Sequence, residues 1–257
     1  MKVITDFNRI CPGCGIVLYY PRKNGLNRAI KENSNCRKCA GLNHRINRDA
    51  NFKNSELDII SGLLLGDGSL SKPTANAYIK IGCENIEYLE FLTNQISVFK
   101  GRKVLQYVDL DGILKNELSS LMYQNITELH NLWYLNRIKI VPQNLILSPI
   151  TCLHWFLGDG NNGHGEYIKL HTEGFTKIEV DYLVKKLHDL NIMAYPYKRM
   201  NPKLFGDGYI IMLGRQPMIK FLEYIGECPV KCFKYKWQLS ERFIRRASIK
   251  KYDYIDS

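Results

Sequence analysis

The chain contains 257 residues, of which 45% are hydrophobic, and it carries a formal net charge of +11. This length accommodates one large domain or two to three small ones. The positive charge favours a polyanionic partner, although a basic surface that only confers solubility has the same balance. No stretch resembles a membrane span or a secretory signal, which predicts a protein of the cytoplasm, or of an organellar matrix, that does not contact membranes.

The first element is a basic segment, residues 1–53, with eleven Lys and Arg against three Asp and Glu. It contains two CxxC pairs, Cys11-Pro-Gly-Cys14 and Cys36-Arg-Lys-Cys39. Disulfides are rare in a reducing compartment, whereas four thiolates close a tetrahedral structural Zn²⁺ site. Two unrelated pairs of buried thiols are the alternative. We predict a small, zinc-ribbon-like module, which zinc holds folded.

The cations around these cysteines are candidates for phosphate contacts, which gain affinity from counterion release. They are Arg22, Lys23, Arg28, Lys31, Arg37 and Lys38. The remaining cysteines lack a convincing metal-binding pattern, and we interpret them as structural. They are Cys83, Cys152, Cys228 and Cys232.

An internal repeat occupies the rest of the chain: Leu65-Gly66-Asp67-Gly68 recurs 92 residues later as Leu157-Gly158-Asp159-Gly160. Each copy ends an apolar helical run. The first run begins at Ser55, with Asp58 as its capping-box acid. The second begins at Ser148, an N-cap that is followed by proline at the first helical position.

The segments after the two copies are also parallel. In the first half we predict a strand at 78–81, a helix at 86–99, strands at 104–109 and 114–123, and a helix at 125–135. In the second half we predict a strand at 167–170, a helix at 178–190, strands at 194–199 and 209–213, and a helix at 216–225. The order helix, hairpin, helix, hairpin, helix is α+β with antiparallel sheets. The predicted halves are 54–147 and 148–257, and the second ends in a basic tail.

Two nonapeptides carry a family resemblance. Ile60-Ser-Gly-Leu-Leu-Leu-Gly-Asp-Gly68 resembles the LAGLIDADG motif, and Cys152-Leu-His-Trp-Phe-Leu-Gly-Asp-Gly160 resembles its second copy. Ile138-Lys-Ile-Val-Pro142 is similar to a segment that often precedes the second motif in one branch of the family. Over roughly residues 55–240, the chain resembles the monomeric, two-motif LAGLIDADG homing endonucleases.

The resemblance implies that the two motif helices pack side by side at a pseudo-twofold axis. Small residues suit this close approach: Ser61, Gly62 and Gly66 in the first helix, and Gly158 in the second. His154 stands where the first copy has Gly62, so the symmetry of the helix contact is in question.

Asp67 and Asp159 each end a helix, where the macrodipole disfavours negative charge. A divalent cation between them would compensate, and phosphodiester hydrolysis uses such a cation to activate water and stabilise the phosphate. Hard oxygen ligands suit Mg²⁺. We predict that both aspartates are catalytic and hold Mg²⁺ together with backbone groups of Gly66 and Gly158. Ordinary Asp-Gly turns are the alternative.

The resemblance also implies basic groups near the scissile phosphates. Lys139 and Lys236 occupy comparable positions late in each half, and solvated surface lysines are an equal alternative. Family members read DNA with antiparallel sheets in the major groove, and strand register decides which side chains face it. The candidates are Lys72, Lys80, Lys103, Gln106, Tyr107, Lys115, Lys169, Tyr195, Tyr197, Lys198, Arg199 and Lys203. The tail cations form either a phosphate-binding segment or a solvated helix: Arg242, Arg245, Arg246, Lys250 and Lys251.

The function predicted from these features is intron-homing cleavage of double-stranded DNA at a long, specific target, by a monomer that uses Mg²⁺. Two alternatives are an RNA maturase that assists intron splicing and a DNA-binding regulator that does not cut. The presence of both acids favours cleavage over either alternative.

Overall fold

The computed structural model describes residues 7–46, 49–199 and 208–241, with only the backbone at 42–46. Lys203 and the basic tail beyond residue 241 lie outside the described residues. Among the helices in the described part of the chain, none is long and apolar enough to cross a membrane.

The N-terminal module is a small α+β unit with its own buried cluster. Strands β1 (Asn8–Ile10) and β2 (Val17–Tyr19) form an antiparallel hairpin, and helices α1 (Lys23–Lys31) and α2 (Arg37–Ile46) follow. The cluster consists of Cys11, Cys36 and Cys39, with Leu18 packed against it. The interior of the module is therefore built largely from cysteine.

The first half contains the following elements: α3 (Asn54–Leu65), β3 (Gly68–Ser71), β4 (Tyr78–Gly82), α4 (Ile86–Gln95), β5 (Leu105–Val108), β6 (Leu114–Ser119), α5 (Gln124–Trp133), β7 (Tyr134–Leu135) and β8 (Ile138–Lys139). The second half repeats the order: α6 (Pro149–Asp159), β9 (Gly160–Asn162), β10 (Ile168–Leu170), α7 (Lys177–Asp189), β11 (Tyr195–Lys198), β12 (Tyr209–Leu213) and α8 (Arg215–Ile225). Short 3₁₀ helices lie at Ser97–Phe99 and Lys231–Trp237.

Each half contains one four-stranded antiparallel sheet. The strand orders are β3-β4-β6-β5 and β9-β10-β12-β11, which are equivalent under the repeat. The register is equivalent as well, because Gly68 pairs with Ile81 and Gly160 pairs with Leu170. Apolar residues on one face of each sheet join the helices in a single core that includes both halves. The predicted α+β class and antiparallel sheets are confirmed.

Several element boundaries differ from the predictions. Helix α3 begins at Asn54, and its capping acid is Glu56, which accepts a hydrogen bond from the Lys53 backbone N–H at 2.8 Å. Because Glu56 also accepts from the Ser97 backbone, it ties this helix end to the segment after α4, so the predicted Ser55–Asp58 capping box was wrong. The Ser148 cap of α6 is confirmed, since its hydroxyl accepts from the Thr151 N–H at 3.1 Å.

The segment after α5 also differs from its prediction. The predicted helix at 125–135 ends at Trp133, and residues 134 and 135 instead form strand β7, which pairs with β8. The intervening Asn136 and Arg137 both have positive φ, 50° and 69°. Two such residues in succession form the type I′ turn of a tight hairpin. This hairpin carries Lys139.

Helices α3 and α6 form the most extensive helix–helix contact among the described residues. A Cβ atom at Gly62 would lie 2.4 Å from the Thr151 carbonyl oxygen and 2.8 Å from the His154 Cβ. Gly62 on α3 thus makes room for His154 on α6, the residue that stands at the equivalent position of the second motif. Ser61 instead lines a groove with Leu129 and Trp133, so its predicted role in the helix contact is not seen.

Substituting Gly62 with Ala is expected to lower the free energy of unfolding by about 1 to 3 kcal/mol, because the new methyl group meets backbone that cannot rotate away. The better helix propensity of alanine offsets only part of this cost. Chemical denaturation of the purified variant measures the change. Gly174→Ala is the control, since nothing lies within 4 Å of its added Cβ. Equal stability of both variants would contradict the tight helix contact.

Candidate active site

Two aspartates lie side by side where the motif helices end. A Cβ atom on Gly66 would be 3.3 Å from the Asp159 backbone nitrogen, and one on Gly158 would be 3.5 Å from that of Asp67. Each aspartate therefore follows a glycine that lets the opposite helix approach. Asp67 is exposed and Asp159 is half-buried.

The two carboxyl groups interact directly. Burial, followed by the negative charge of Asp67 and a hydrogen bond to it, raises the pKa of Asp159 to about 7. Two adjacent carboxylates disfavour each other's ionisation, and the positive charge of Lys139 offsets only part of this effect on Asp159. Asp159 is therefore partly protonated near neutral pH.

Two lysines bind the ends of the motif helices. The Lys139 ammonium donates to the carbonyl oxygens of Gly66 at 3.1 Å and Gly68 at 2.7 Å. The Lys236 ammonium donates to those of Phe156 at 3.0 Å and Leu157 at 2.7 Å. The last carbonyls of a helix lack partners within it, and a cation there also offsets the macrodipole. The Phe156 carbonyl additionally accepts from the Gly160 backbone N–H.

Neither lysine is a solvated surface residue, so that alternative is excluded. Lys236 is only 4% exposed and lies over the rings of Phe156 and Phe233. Burial lowers the pKa of Lys236 to about 8 and also lowers the pKa of Lys139, while the negative charges of Asp159 and Asp67 act in the opposite direction. Both lysines are thus charged partners of the aspartate pair.

The helix ends separate two clefts that correspond under the repeat. The first cleft, about 480 Å³, is lined by Asp67, by Gly158 and Lys236 from the second half, and by residues at the ends of β4 and β6. The second cleft, about 390 Å³, is lined by Asp159, by Gly66 and Lys139 from the first half, and by 171–175 after β10. Each cleft combines an aspartate from one half with a lysine from the other.

The two clefts differ in the residues that follow β4 in the first half and β10 in the second. In the second cleft, Glu173 accepts a hydrogen bond from Arg199 at 2.7 Å and pairs with His171 Nδ1 at 3.0 Å. Burial opposes its ionisation, but the hydrogen bonds to His171 and Arg199 prevail and lower the pKa of Glu173 to about 2. Ile81 and Leu170 pair with equivalent glycines in the two sheets. The next residue, Gly82 in the first half, therefore corresponds to His171 in the second.

The face of the first sheet that points away from the helices, here called its open face, carries some of the predicted DNA-reading residues. Lys80, Tyr107 and Lys115 lie on it; Lys80 pairs with Glu117 at 2.6 Å, and Lys115 pairs with Asp109 at 3.7 Å.

The other first-half candidates lie elsewhere. Gln106 is on the helix-facing side, where its amide donates to buried Asn116 at 2.8 Å. Lys72 lies near His130 of α5. Burial, followed by the positive charge of Lys72, lowers the pKa of His130. Lys103 is exposed in the connector before β5.

Lys169 and Tyr195 both pair with Met212 of β12, and Tyr197 lies two residues beyond Tyr195 on the same strand. All three side chains therefore lie on one face, the open face of the second sheet. Arg199 continues this face and reaches Glu173 in the second cleft. Lys198 pairs with Tyr209 across the strands and lies over its ring at 5.6 Å, on the helix-facing side. Successive side chains of a strand point to opposite faces of the sheet, so Gln106 and Lys198 face the helices while their sequence neighbours lie on the open faces.

The four paired cysteines of the N-terminal module converge. The sulfurs of Cys11, Cys14, Cys36 and Cys39 all lie within 4.8 Å of one another. Backbone hydrogen bonding from Cys36 lowers the pKa of Cys11 to about 6, whereas hydrogen bonds with the neighbouring thiols raise the pKa of Cys39 to about 12. Four sulfurs at this distance suit one soft or borderline cation better than four separate thiols. The nearby cations named from the sequence are all exposed.

Sequence reasoning missed the residues that follow β4 and β10. His171, Glu173 and Cys83 line the clefts, and none of the three was selected as a site residue. The repeat contained a signal for them, because Glu84 and Glu173 stand at equivalent positions after equivalent strands. Aligning the halves beyond the nonapeptides would have found this acid in each half.

Two similar halves with paired aspartates at the ends of packed motif helices define the class of LAGLIDADG proteins. The sequence profile of the LAGLIDADG DNA endonuclease family matches residues 57–221, more than half of the chain. The chain belongs to this family, and the predicted resemblance is confirmed.

Individual relatives are distant. The chain is 29% identical over 163 residues to the cytochrome b mRNA maturase bI2 of Debaryomyces hansenii, covering 58% of this chain and 62% of the maturase. It is 29% identical over 140 residues to an uncharacterized protein of Methanocaldococcus jannaschii, covering 50% and 53%. The chain thus spans less than two thirds of the length of these curated relatives.

The fold is also found in a solved structure, that of the homing endonuclease I-WcaI bound to its DNA recognition sequence. The TM-score is 0.65 at 17% sequence identity, and the match covers 87% of this chain and 96% of that chain. At this identity the similarity establishes the fold, which agrees with the LAGLIDADG architecture of the described residues.

Proposed function

We propose that the protein is a site-specific endonuclease that hydrolyses both strands of a DNA duplex at two adjacent sites, acting as a monomer. One observation carries the proposal: the two clefts each contain an aspartate from one half and a lysine from the other that binds a motif-helix end. Two equivalent sites on either side of a pseudo-twofold axis match the two antiparallel strands of a duplex.

A divalent cation fits the donors at this centre. Asp67 and Asp159 supply hard carboxylate oxygens, the donors that Mg²⁺ prefers, and such a cation would displace the proton that Asp159 retains near neutral pH. When bound, the metal would activate water and stabilise charge on the scissile phosphate. The Gly158 backbone remains a candidate ligand, whereas the Gly66 carbonyl already accepts from Lys139.

The chain's own residues would position the DNA. The open faces of the two sheets carry the cations and tyrosines that face a duplex laid across them, and strands of this kind fit the major groove. Lys139 and Lys236 keep a positive charge beside the aspartates, and this charge would stabilise the phosphate as negative charge develops.

The test is incubation of the purified protein with plasmids that carry the sequences flanking its own gene, with and without Mg²⁺. Linearised plasmid with one defined pair of ends is expected only when Mg²⁺ is present. Persistently intact supercoiled plasmid with every flanking sequence, together with tight binding to one of them, would favour a DNA-binding regulator that does not cut.

A second candidate function is that of an RNA maturase, and the similarity to the maturase bI2 favours it. The discriminating measurement is splicing of a transcript that contains any intron in which the gene resides. If the protein accelerates splicing and the Asp67→Asn variant does so equally well, the RNA function is independent of the aspartate pair.

We propose further that Cys11, Cys14, Cys36 and Cys39 hold a structural Zn²⁺. The convergence of their sulfurs supports this, and four thiolates leave no open position for catalysis. The short module has few other buried apolar residues, so metal binding would supply much of its folding free energy.

The freshly purified protein is expected to contain one zinc ion, and Cys36→Ser is expected to lose it, because three thiolates bind zinc far more weakly than four. Elemental analysis after dialysis measures the metal content. Cys228→Ser, which lies outside the cluster, is the control and should retain the ion. Absence of zinc from the unaltered protein would refute the proposal.

The module is also proposed to bind the phosphate backbone. Replacing Arg22, Lys23, Arg28 and Lys31 with Gln is expected to weaken DNA binding and to reduce the dependence of log K on log salt by about 0.9 for each phosphate that the module no longer neutralises. The control replaces four exposed lysines elsewhere, Lys100, Lys185, Lys220 and Lys234, which removes the same charge. Fluorescence anisotropy at several salt concentrations measures both variants, and equal slopes would contradict a specific role of the module.

A further inference from the structure

Three side chains form a hydrogen-bonded chain into the second cleft. Arg199 donates to Glu173 at 2.7 Å, and the same carboxylate oxygen lies 3.0 Å from His171 Nδ1. The Glu173 side chain is only 11% exposed, whereas that of Arg199 is 43% exposed. The chain therefore runs from Arg199 on the open face of the second sheet, through Glu173, to the partly exposed His171 in the cleft lining.

This contact determines which nitrogen of the histidine carries a proton. A carboxylate only accepts hydrogen bonds, so the bond to Glu173 makes Nδ1 the donor. In the neutral ring, Nε2 is then an acceptor. His171 lines the cleft together with Asp159, and its backbone N–H donates to the Asp159 carbonyl at 3.0 Å. The cleft lining thus includes a histidine whose Nε2 can accept a hydrogen bond.

The first cleft has a different arrangement. Gly82 occupies the position equivalent to His171, and the described residues that line this cleft include no histidine. Lys80 pairs with Glu117 there instead. The two halves share their aspartates and lysines, but only the second contains this chain of three residues.

We propose that His171 accepts a hydrogen bond from the attacking water in the second cleft, and that Arg199 and Glu173 are positioning residues for it. The two strands of the duplex are then cut by unlike sites. Arg199, predicted from the sequence to read DNA, acts mainly through Glu173. This inference rests on the proposed endonuclease function.

The test follows the two strands separately, with a different label on each end of a target duplex. Glu173→Ala, Arg199→Gln and His171→Ala are each expected to slow cleavage of one strand by about 10- to 100-fold, the usual effect of removing such an orienting hydrogen bond. The other strand and the affinity in Ca²⁺ should change by less than about threefold, a margin within the context dependence of single interactions. Glu173→Gln retains an acceptor oxygen and should recover part of the rate.

Two comparisons make the result specific. Adding Arg199→Gln to His171→Ala should slow cleavage no further, because both changes interrupt the same chain. Lys169→Gln, on the open face of the same sheet, should weaken binding and affect both strands alike. Equal slowing of both strands by Arg199→Gln, with a loss of affinity like that of Lys169→Gln, would overturn the inference.

A measurement that needs no cleavage separates this inference from the proposed function. The ¹⁵N spectrum of the full-length protein at pH 8 reports the tautomer of each histidine. The Nδ1–H form of His171 is expected in the unaltered protein and should be lost in Glu173→Ala. If the protein cuts neither strand, the endonuclease proposal fails, while an Nε2–H tautomer in the unaltered protein would refute the positioning chain itself.

Discussion

Replacing Asp67 with Asn is expected to slow cleavage of a target duplex by about three orders of magnitude, because metal-derived stabilisation of the transition state contributes several kcal/mol. The substitution retains the size of the side chain but removes one charged oxygen donor. Affinity for DNA in Ca²⁺ should stay constant or rise, since one negative charge near phosphate is removed. Asp159→Asn should behave in the same way. The measurements are strand-resolved cleavage in Mg²⁺ and binding in Ca²⁺.

The protonation of Asp159 gives this prediction a pH dependence. Its pKa is raised to about 7 in the absence of metal, so a cation must displace a proton at any lower pH. The apparent affinity for Mg²⁺ is therefore expected to fall as the pH drops below 7, and Asp159→Asn should remove most of that dependence. Asp111→Asn, in an exposed turn, is the matched control. Wild-type cleavage of both strands by both single variants would show that these aspartates are turn residues.

Replacing Lys236 with Met is expected to slow cleavage by about 100-fold, the effect typical of removing one preorganised donor from an active site. The methionine fills the space between Phe156 and Phe233 that the lysine stem occupies. The carbonyl oxygens of Phe156 and Leu157 lose the lysine as a donor, and that of Phe156 keeps the Gly160 backbone N–H. No charge then has to be buried, and these effects on stability oppose each other. The free energy of unfolding should therefore change far less than the rate.

Lys234→Met is the control for this substitution, because Lys234 lies on the same 3₁₀ helix and is exposed. Its cleavage rate and stability should both match the unaltered protein. Chemical denaturation and single-turnover cleavage provide the two measurements. A Lys236→Met variant that is markedly less stable but cuts normally would assign the lysine a purely structural role.

Sequence periodicity predicted the fold well where one face of an element is buried. The motif helices, the strands at 78–81 and 167–170 and the helices that follow were all predicted close to their observed positions, because burial imposes a clear apolar period on them. The repeat then indicated that the halves share one topology. The aspartate pair could be predicted for the same reason, since both copies place it at a helix end.

Other features depend on contacts between distant segments, which no local pattern contains. Gln106 and Lys198 face the helices because of strand register, and one residue of shift reverses the face of every side chain. The capping role of Glu56 depends on its contact with the Ser97 backbone. Lys236 becomes buried only when the 3₁₀ helix packs against α6. In each case, the orientation or burial of the side chain depends on long-range packing, which the local sequence does not specify.

The contact between Gly62 and His154 has a consequence for exchanging the halves. The histidine needs the space that glycine leaves, and its ring forms a hydrogen bond with Tyr88 of the first half at 2.9 Å. Two copies of the second half would place a histidine against a histidine, and two copies of the first would leave a void. The halves are therefore complementary, and neither is expected to form a tight homodimer. A chimera that joins one half of this chain to a half from a relative would therefore need a matching small residue opposite His154, or a matching large residue opposite Gly62.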